Sequence, residues 1–235
     1  MNHPEHDLAA GMKATLPLVV GAIPFGIIFG TLAAAGGLSF SATMAMSLFV
    51  FAGSAQFIAL GLLSTGTIWQ IVILTTFVVN LRHLLYAAAL VPYVKNLKQI
   101  TRIGWGFTLT DETFAVVMSR ARDPEKQLTS WYYFGSAGFM YANWQLCTLL
   151  GFTAGQVFPN IAKWGLDFAM PVTFIGMLLP YLKTRPMVFA VIVAGISAVA
   201  LHGFPHKLGL ILASLFGVGV GLGLETFNKK TAAHE

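Results

Sequence analysis

With 235 residues, 56% of them hydrophobic and only 10% charged, this chain falls outside the composition of soluble domains, which carry roughly 25% charged residues. Its net charge of +5 does not mark a nucleic-acid binder, because the Lys and Arg residues lie between apolar runs and mostly on one side of them. The single cysteine, Cys147, lies inside an apolar run and excludes an intrachain disulfide and any cysteine-rich metal site.

The chain begins with a polar stretch, 1–12, that carries Glu5 and Asp7. This stretch lacks the basic start of a cleaved signal peptide, so the first apolar segment is expected to be retained. Apolar segments then follow at Thr15–Ala35, Ala42–Leu63, Ile68–Tyr93, Leu128–Gly151, Trp164–Leu182, Pro186–His202 and Leu208–Phe227. About 20 residues at 1.5 Å each cross about 30 Å of hydrocarbon, and most of these segments are near that length. The expectation is one all-α integral membrane domain over 1–235, with about seven transmembrane helices, some interrupted by Gly or Pro.

Segment one holds Pro17, Gly21, Pro24, Gly26 and Gly30. Pro24 removes a backbone hydrogen bond, so Gly21–Gly26 is either a kink or a break in the helix. Segment two holds Phe51-Ala52-Gly53-Ser54-Ala55-Gln56-Phe57 at mid-depth. Small residues there either let helices approach closely or mark a broken helix, whose freed backbone groups and Gln56 line a polar site.

Segment three carries Asn80-Leu81-Arg82-His83 near the middle of the apolar run 71–90. Placing Arg at the bilayer centre costs about 2.5–3.5 kcal/mol on insertion scales, so Arg82 should face a cavity or an internal partner. It either fixes helix packing or stands on a substrate pathway. His83 titrates near neutrality and is a candidate proton carrier. A longer polar connection, 94–127, contains a short helix expected over Thr110–Arg120. Thr110 serves as its N-cap, Asp111 and Glu112 lie in the first turn and Arg120 in the last, an order that complements the helix dipole. The two carboxylates either serve that cap alone or gate the cytoplasmic mouth.

Segment seven holds two overlapping GxxxG pairs, Gly217/Gly221 and Gly219/Gly223, which permit close packing of a helix from this chain or a partner. A short likeness, Leu90–Lys95 against Leu178–Lys183, recurs after 88 residues and fits either a parallel repeat or a chance similarity of two helix ends. Basic residues set the orientation. Lys95, Lys98, Arg102, Arg120, Arg122, Lys126, Lys183, Arg185, Lys229 and Lys230 fall on one side, and only Lys163 and Lys207 on the other. The long connection and the C-terminus are therefore expected to be cytoplasmic. Three full spans would then place the N-terminus outside, whereas a segment that turns back within the membrane would place it inside.

Four stretches, Pro24–Gly30, Phe51–Phe57, Asn80–His83 and Leu109–Glu112, appear together in an order that resembles the AzlC family, the large subunit of branched-chain amino acid exporters. The resemblance is strongest in the first half of the chain. It implies export of leucine, isoleucine and valine, with methionine a further candidate, across the cytoplasmic membrane. It also implies a small AzlD-type membrane subunit as partner. No cofactor is expected.

An exporter of apolar amino acids needs a carboxylate clamp, an ammonium partner and an apolar pocket. Arg82 suits the carboxylate, with helix N-termini at the breaks assisting it; Gln56, Asn80 and freed carbonyls suit the ammonium. The substrate-site candidates are thus Arg82, Asn80, Gln56, Ser54, Gly53, Pro24 and Phe25, and the proton-coupling candidates are His83, Asp111 and Glu112. The chain has no P-loop and no catalytic or metal motif, so it is not expected to be an enzyme. The competing reading is a membrane-embedded enzyme that uses Arg82, His83, Asp111 and Glu112 on a lipid or lipid-linked substrate.

Overall fold

The computed structural model describes residues 4–157, 182–204 and 208–232, together with Val172, Ile175 and Leu179. Every element among the described residues is helical: α1 (Pro4–Ala35), α2 (Phe40–Val50), α3 (Gly53–Ser64), α4 (Trp69–Val94), α5 (Gln99–Thr108), α6 (Asp111–Ala121), α7 (Ser130–Val157), α8 (Arg185–Ala200) and α9 (Leu208–Ala232). The predicted segment Trp164–Leu182 and the second copy of the short repeat fall largely outside the described residues, as do Lys163, Lys207 and the cytoplasmic or external placement that rested on them.

The core is the packing of α1 on α7. The two helices run parallel: Gly11 lies against Tyr132, Gly26 against Cys147 and Thr31 against Gly151. Gly30 and Gly151 are required at this crossing, because a Cβ on either would collide with a backbone carbonyl of the facing helix, that of Thr148 or of Ile27. The close approach lets Thr31 Oγ1 donate to the Gly151 carbonyl at 3.0 Å and Thr15 Oγ1 to Ser136 Oγ at 2.6 Å. Such small residues and hydroxyls join helices where lipid removes the hydrophobic driving force. The lone Cys147 is a buried packing residue in this seam.

Of the two readings of Gly21–Gly26, the break does not occur, and α1 continues through both Pro17 and Pro24. Proline is tolerated in membrane helices when neighbouring helices support the backbone, as α7 does here.

Segment two is interrupted as its Gly-Ser cluster suggests, and it also turns back. At 1.5 Å per residue, α2 and α3 are each under about 20 Å long, too short to cross alone. α2 starts where Phe40 meets Phe152 and descends α7 until Phe51 meets Tyr141. After the turn at Phe51-Ala52, Gly53 lies against Trp144, Phe57 against Phe29, and Leu60 beside Gly36 just past the end of α1. α3 has returned to the end of the bundle where α2 began.

The connection 94–127 is a second hairpin packed into the bundle. Trp105 of α5 stacks on Tyr133 near the start of α7, with ring centroids 3.8 Å apart, and Phe107 reaches Tyr141 deeper in. The expected helix start is present: Thr110 Oγ1 accepts from the Thr113 N–H at 3.3 Å. α6 then runs back along α1 until Arg120 meets Asp7, Nη2 to Oδ1 at 3.5 Å. In the exposed loop beyond it, Lys126 donates to Asp123 and holds that carboxyl below the usual carboxylate range.

The two hairpins thus enter from opposite ends, each following a long helix: α1 then α2–α3, and α4 then α5–α6. The repetition among the described residues is inverted; it relates other segments than the short sequence likeness, whose second copy lies largely outside the described residues. Inverted repeats that meet at mid-depth are a recurrent transporter architecture. Because segment two turns back, only α1 and α4 separate the N-terminus from the second hairpin. These are also the two described helices long and apolar enough to cross a membrane. Of the two placements of the N-terminus that the sequence leaves open, this topology matches the one with a segment that turns back: Asp7 accepts from Thr129 at 2.8 Å and pairs with Arg120, so it shares one face with the α6–α7 loop.

At the other end of the chain, α8 and α9 pack on each other. A Cβ on Gly217 would meet Ala190 and Ala194, and one on Gly221 would meet Ala190, while Gly219 and Gly223 face open space. One GxxxG pair is used between α8 and α9, and the other meets no described residue within 4 Å.

Candidate functional site

The tips of the two hairpins meet beside the middle of α4, and Arg82 joins them. Its Nη1 pairs with Asp111 Oδ2 at 2.9 Å in the first turn of α6, and its Nη2 donates to Ser54 Oγ in the first turn of α3. Both partners stand at helix N-termini that converge on this point. The start of α3 has no side-chain cap, so its first-turn N–H groups and the positive end of its dipole are available to an anion.

A cavity of about 270 Å³ opens here. Its polar end is formed by Ser54, Arg82, His83, Thr110, Asp111 and Glu112. The rest is apolar: Pro17, Leu18, Gly21, Ala22 and Phe25 from α1, Phe51, Ala52, Gly53 and Phe57 from the first hairpin, and Met140 and Trp144 from α7. A Cβ on Gly21 would meet nothing within 4 Å, whereas one on Gly53 would lie 3.0 Å from Trp144. Gly53 therefore lets the hairpin tip lie against the indole.

Seven of the ten residues singled out in the sequence line this cavity: Phe25, Gly53, Ser54, Arg82, His83, Asp111 and Glu112. Three do not. Gln56 is fully buried and accepts from Trp144 Nε1 at 2.9 Å, so its oxygen holds the cavity wall in place. Asn80 lies one helical turn from the wall, and its backbone carbonyl faces His83 Nδ1 at 3.2 Å. Pro24 follows the continuous course of α1 and leaves the lining to Phe25. Phe57 lies in the stretch singled out in segment two, whereas Trp144 and Met140 were not marked individually, since an apolar residue within an apolar run carries no local signal.

A family model described as AzlC protein matches residues 17–158, a span that includes both hairpins, Arg82 and all of the cavity lining. The chain belongs to the AzlC family. Among its relatives, an uncharacterized membrane protein of Archaeoglobus fulgidus is 32% identical over 88% of this chain and 90% of its own length. The inner membrane protein YgaZ of Escherichia coli is 28% identical over 83% of this chain and 82% of its own. The branched-chain amino acid transport protein AzlC of Bacillus subtilis is 27% identical over 88% of this chain and 80% of its own. No solved structure matches the chain. With only helical elements among its described residues and with named membrane proteins among its relatives, this AzlC-family chain is an integral membrane protein.

Proposed function

We propose that this AzlC-family protein is the large subunit of a secondary exporter of branched-chain amino acids. The observation that carries the proposal is Arg82, held at the polar end of a largely apolar cavity and bonded to the tips of both hairpins. A guanidinium beside open helix N-termini suits a carboxylate, and the Phe, Met and Trp walls suit a branched aliphatic side chain. A substrate that draws Arg82 away from Ser54 or Asp111 alters the hold on one tip or the other, which links occupancy to which end is closed. The printed name of the Bacillus subtilis relative supports the substrate class. The test is efflux of isotope-labelled valine from cells with and without the gene: export that depends on the chain supports the proposal, and unchanged export opposes it.

His83, Asp111 and Glu112 all line the cavity, so a proton bound there shares the site with the substrate. This placement supports proton-coupled transport.

The face that holds Asp7, Arg120 and the start of α7 is assigned to the cytoplasm, because it gathers Lys95, Lys98, Arg102, Arg122 and Lys126, and now Lys13 as well. In a Cys147→Ser background, cysteines at Glu5 and at Gln99 are expected to resist an impermeant thiol reagent in intact cells and to react together once the membrane is opened. Labelling of only one in intact cells would contradict the shared face.

A small AzlD-type subunit fits the family, and the free glycine edge of α9 is one docking surface for it. Gly219→Leu should leave the α8–α9 pair intact and reduce co-purification of the small subunit. Gly217→Leu should disrupt the pair itself, since its side chain would meet Ala190 and Ala194.

A further inference from the structure

The cavity is built for more than an anion. Its polar end presents one guanidinium, one imidazole and two carboxylates. A ligand carrying only a negative charge would gain Arg82 and be repelled by Asp111 and Glu112. A ligand carrying only a positive charge would meet Arg82. The ligand complementary to an adjacent cation and anion is a zwitterion.

The pair itself has unmet hydrogen-bonding capacity on both members. Asp111 Oδ1 and Arg82 Nε are both buried and have no hydrogen-bond partner, although the side chains are 18% and 29% exposed. Buried polar atoms left this way cost about 1–3 kcal/mol each, a demand that a donor and an acceptor brought in together would meet. The two amide oxygens named in the sequence as ammonium partners are placed less well. The Gln56 oxygen is taken by Trp144, and Asn80 does not line the cavity. Asp111 stands in the first turn of α6, where the dipole favours its negative charge.

The geometry points to Asp111 as the ammonium partner of the substrate, so that an α-amino acid straddles the Arg82–Asp111 pair with its carboxylate on Arg82 and its ammonium on Asp111. This rests on the amino acid reading of the same cavity and assigns Asp111 a role in recognising substrate. The Asp111 carboxylate turns to present Oδ1 as the ligand enters. His83 and Glu112 are left as the groups that carry protons.

The experiment is competition binding on the purified full-length chain, with labelled valine as probe and two fragments as competitors. Isovalerate has the carboxylate and side chain without the ammonium, and isobutylamine has the ammonium and side chain without the carboxylate. The wild-type chain is expected to prefer valine to either fragment by at least about tenfold, the worth of one charge-assisted contact. Asp111→Asn should lose that preference over isovalerate, with isovalerate binding as well as before or better. Valine binding that keeps its full preference over isovalerate in Asp111→Asn would overturn the assignment. So would a wild-type chain that binds isovalerate as tightly as valine, a result that needs no variant. Failure of the wild-type chain to bind valine at all would overturn the amino acid reading and this assignment with it.

Discussion

Arg82→Lys is expected to reach the membrane at normal levels and to export valine about 10–100-fold more slowly, the loss of roughly 1.5–3 kcal/mol of charged hydrogen bonding. The substitution keeps the positive charge, so the cost of leaving the half-buried Asp111 unpaired is largely avoided. It removes the planar fork. One ammonium on a flexible stem cannot hold Ser54 on α3 and Asp111 on α6 in the two directions that the guanidinium serves. The check is valine efflux normalised to the amount of protein in the membrane. Near-normal efflux would mean that charge alone suffices and that the fork joining the hairpins is dispensable.

Gly151→Val is expected to be the most damaging substitution for folding. The first atom of any side chain at this position would lie in the Ile27 carbonyl, and backbone cannot yield as a side-chain end can. Either α1 and α7 separate or the chain fails to assemble. Separation would also break the bond from Thr31 to the Gly151 carbonyl. Overpacking alone costs about 1–3 kcal/mol, and loss of the seam adds to it. The readout is the yield of monodisperse protein in detergent and its melting temperature. Gly138→Ala on the same helix is the control, because a Cβ there would meet nothing within 4 Å. Equal stability of the two variants would contradict the parallel α1–α7 core.

What the sequence made legible follows from how each signal is written. Arg82 stood out because a fixed charge inside an apolar run is costly, so its presence there demands a partner. Thr110 stood out because a hydroxyl followed by two acidic residues has the composition of a helix start, and it caps α6 as expected. The turn at Phe51-Ala52 was legible only as an interruption. The stretch from Phe40 to Ser64 has the length and composition of one span, and hydropathy reports how apolar a segment is without reporting its direction. That missing direction is why the sequence leaves the side of the N-terminus open. The second hairpin was hidden for the opposite reason, since its basic residues made 94–127 read as a connection although Trp105 and Val117 are buried in the bundle. Gln56 was misjudged because its neighbours line the cavity while its own side chain turns to Trp144. Of the two readings open at Pro24, the break is absent because α7 supports the helix there.

Valine flux in proteoliposomes that contain this chain and its small partner, with and without an imposed pH gradient, tests the central claim most directly. The account expects labelled valine to move only where the protein is present and to accumulate when the gradient is imposed. Glu112→Gln together with His83→Gln should abolish that accumulation while exchange of valine across the membrane continues. Flux that ignores the gradient would contradict proton coupling, and absence of any protein-dependent valine movement would contradict the exporter itself.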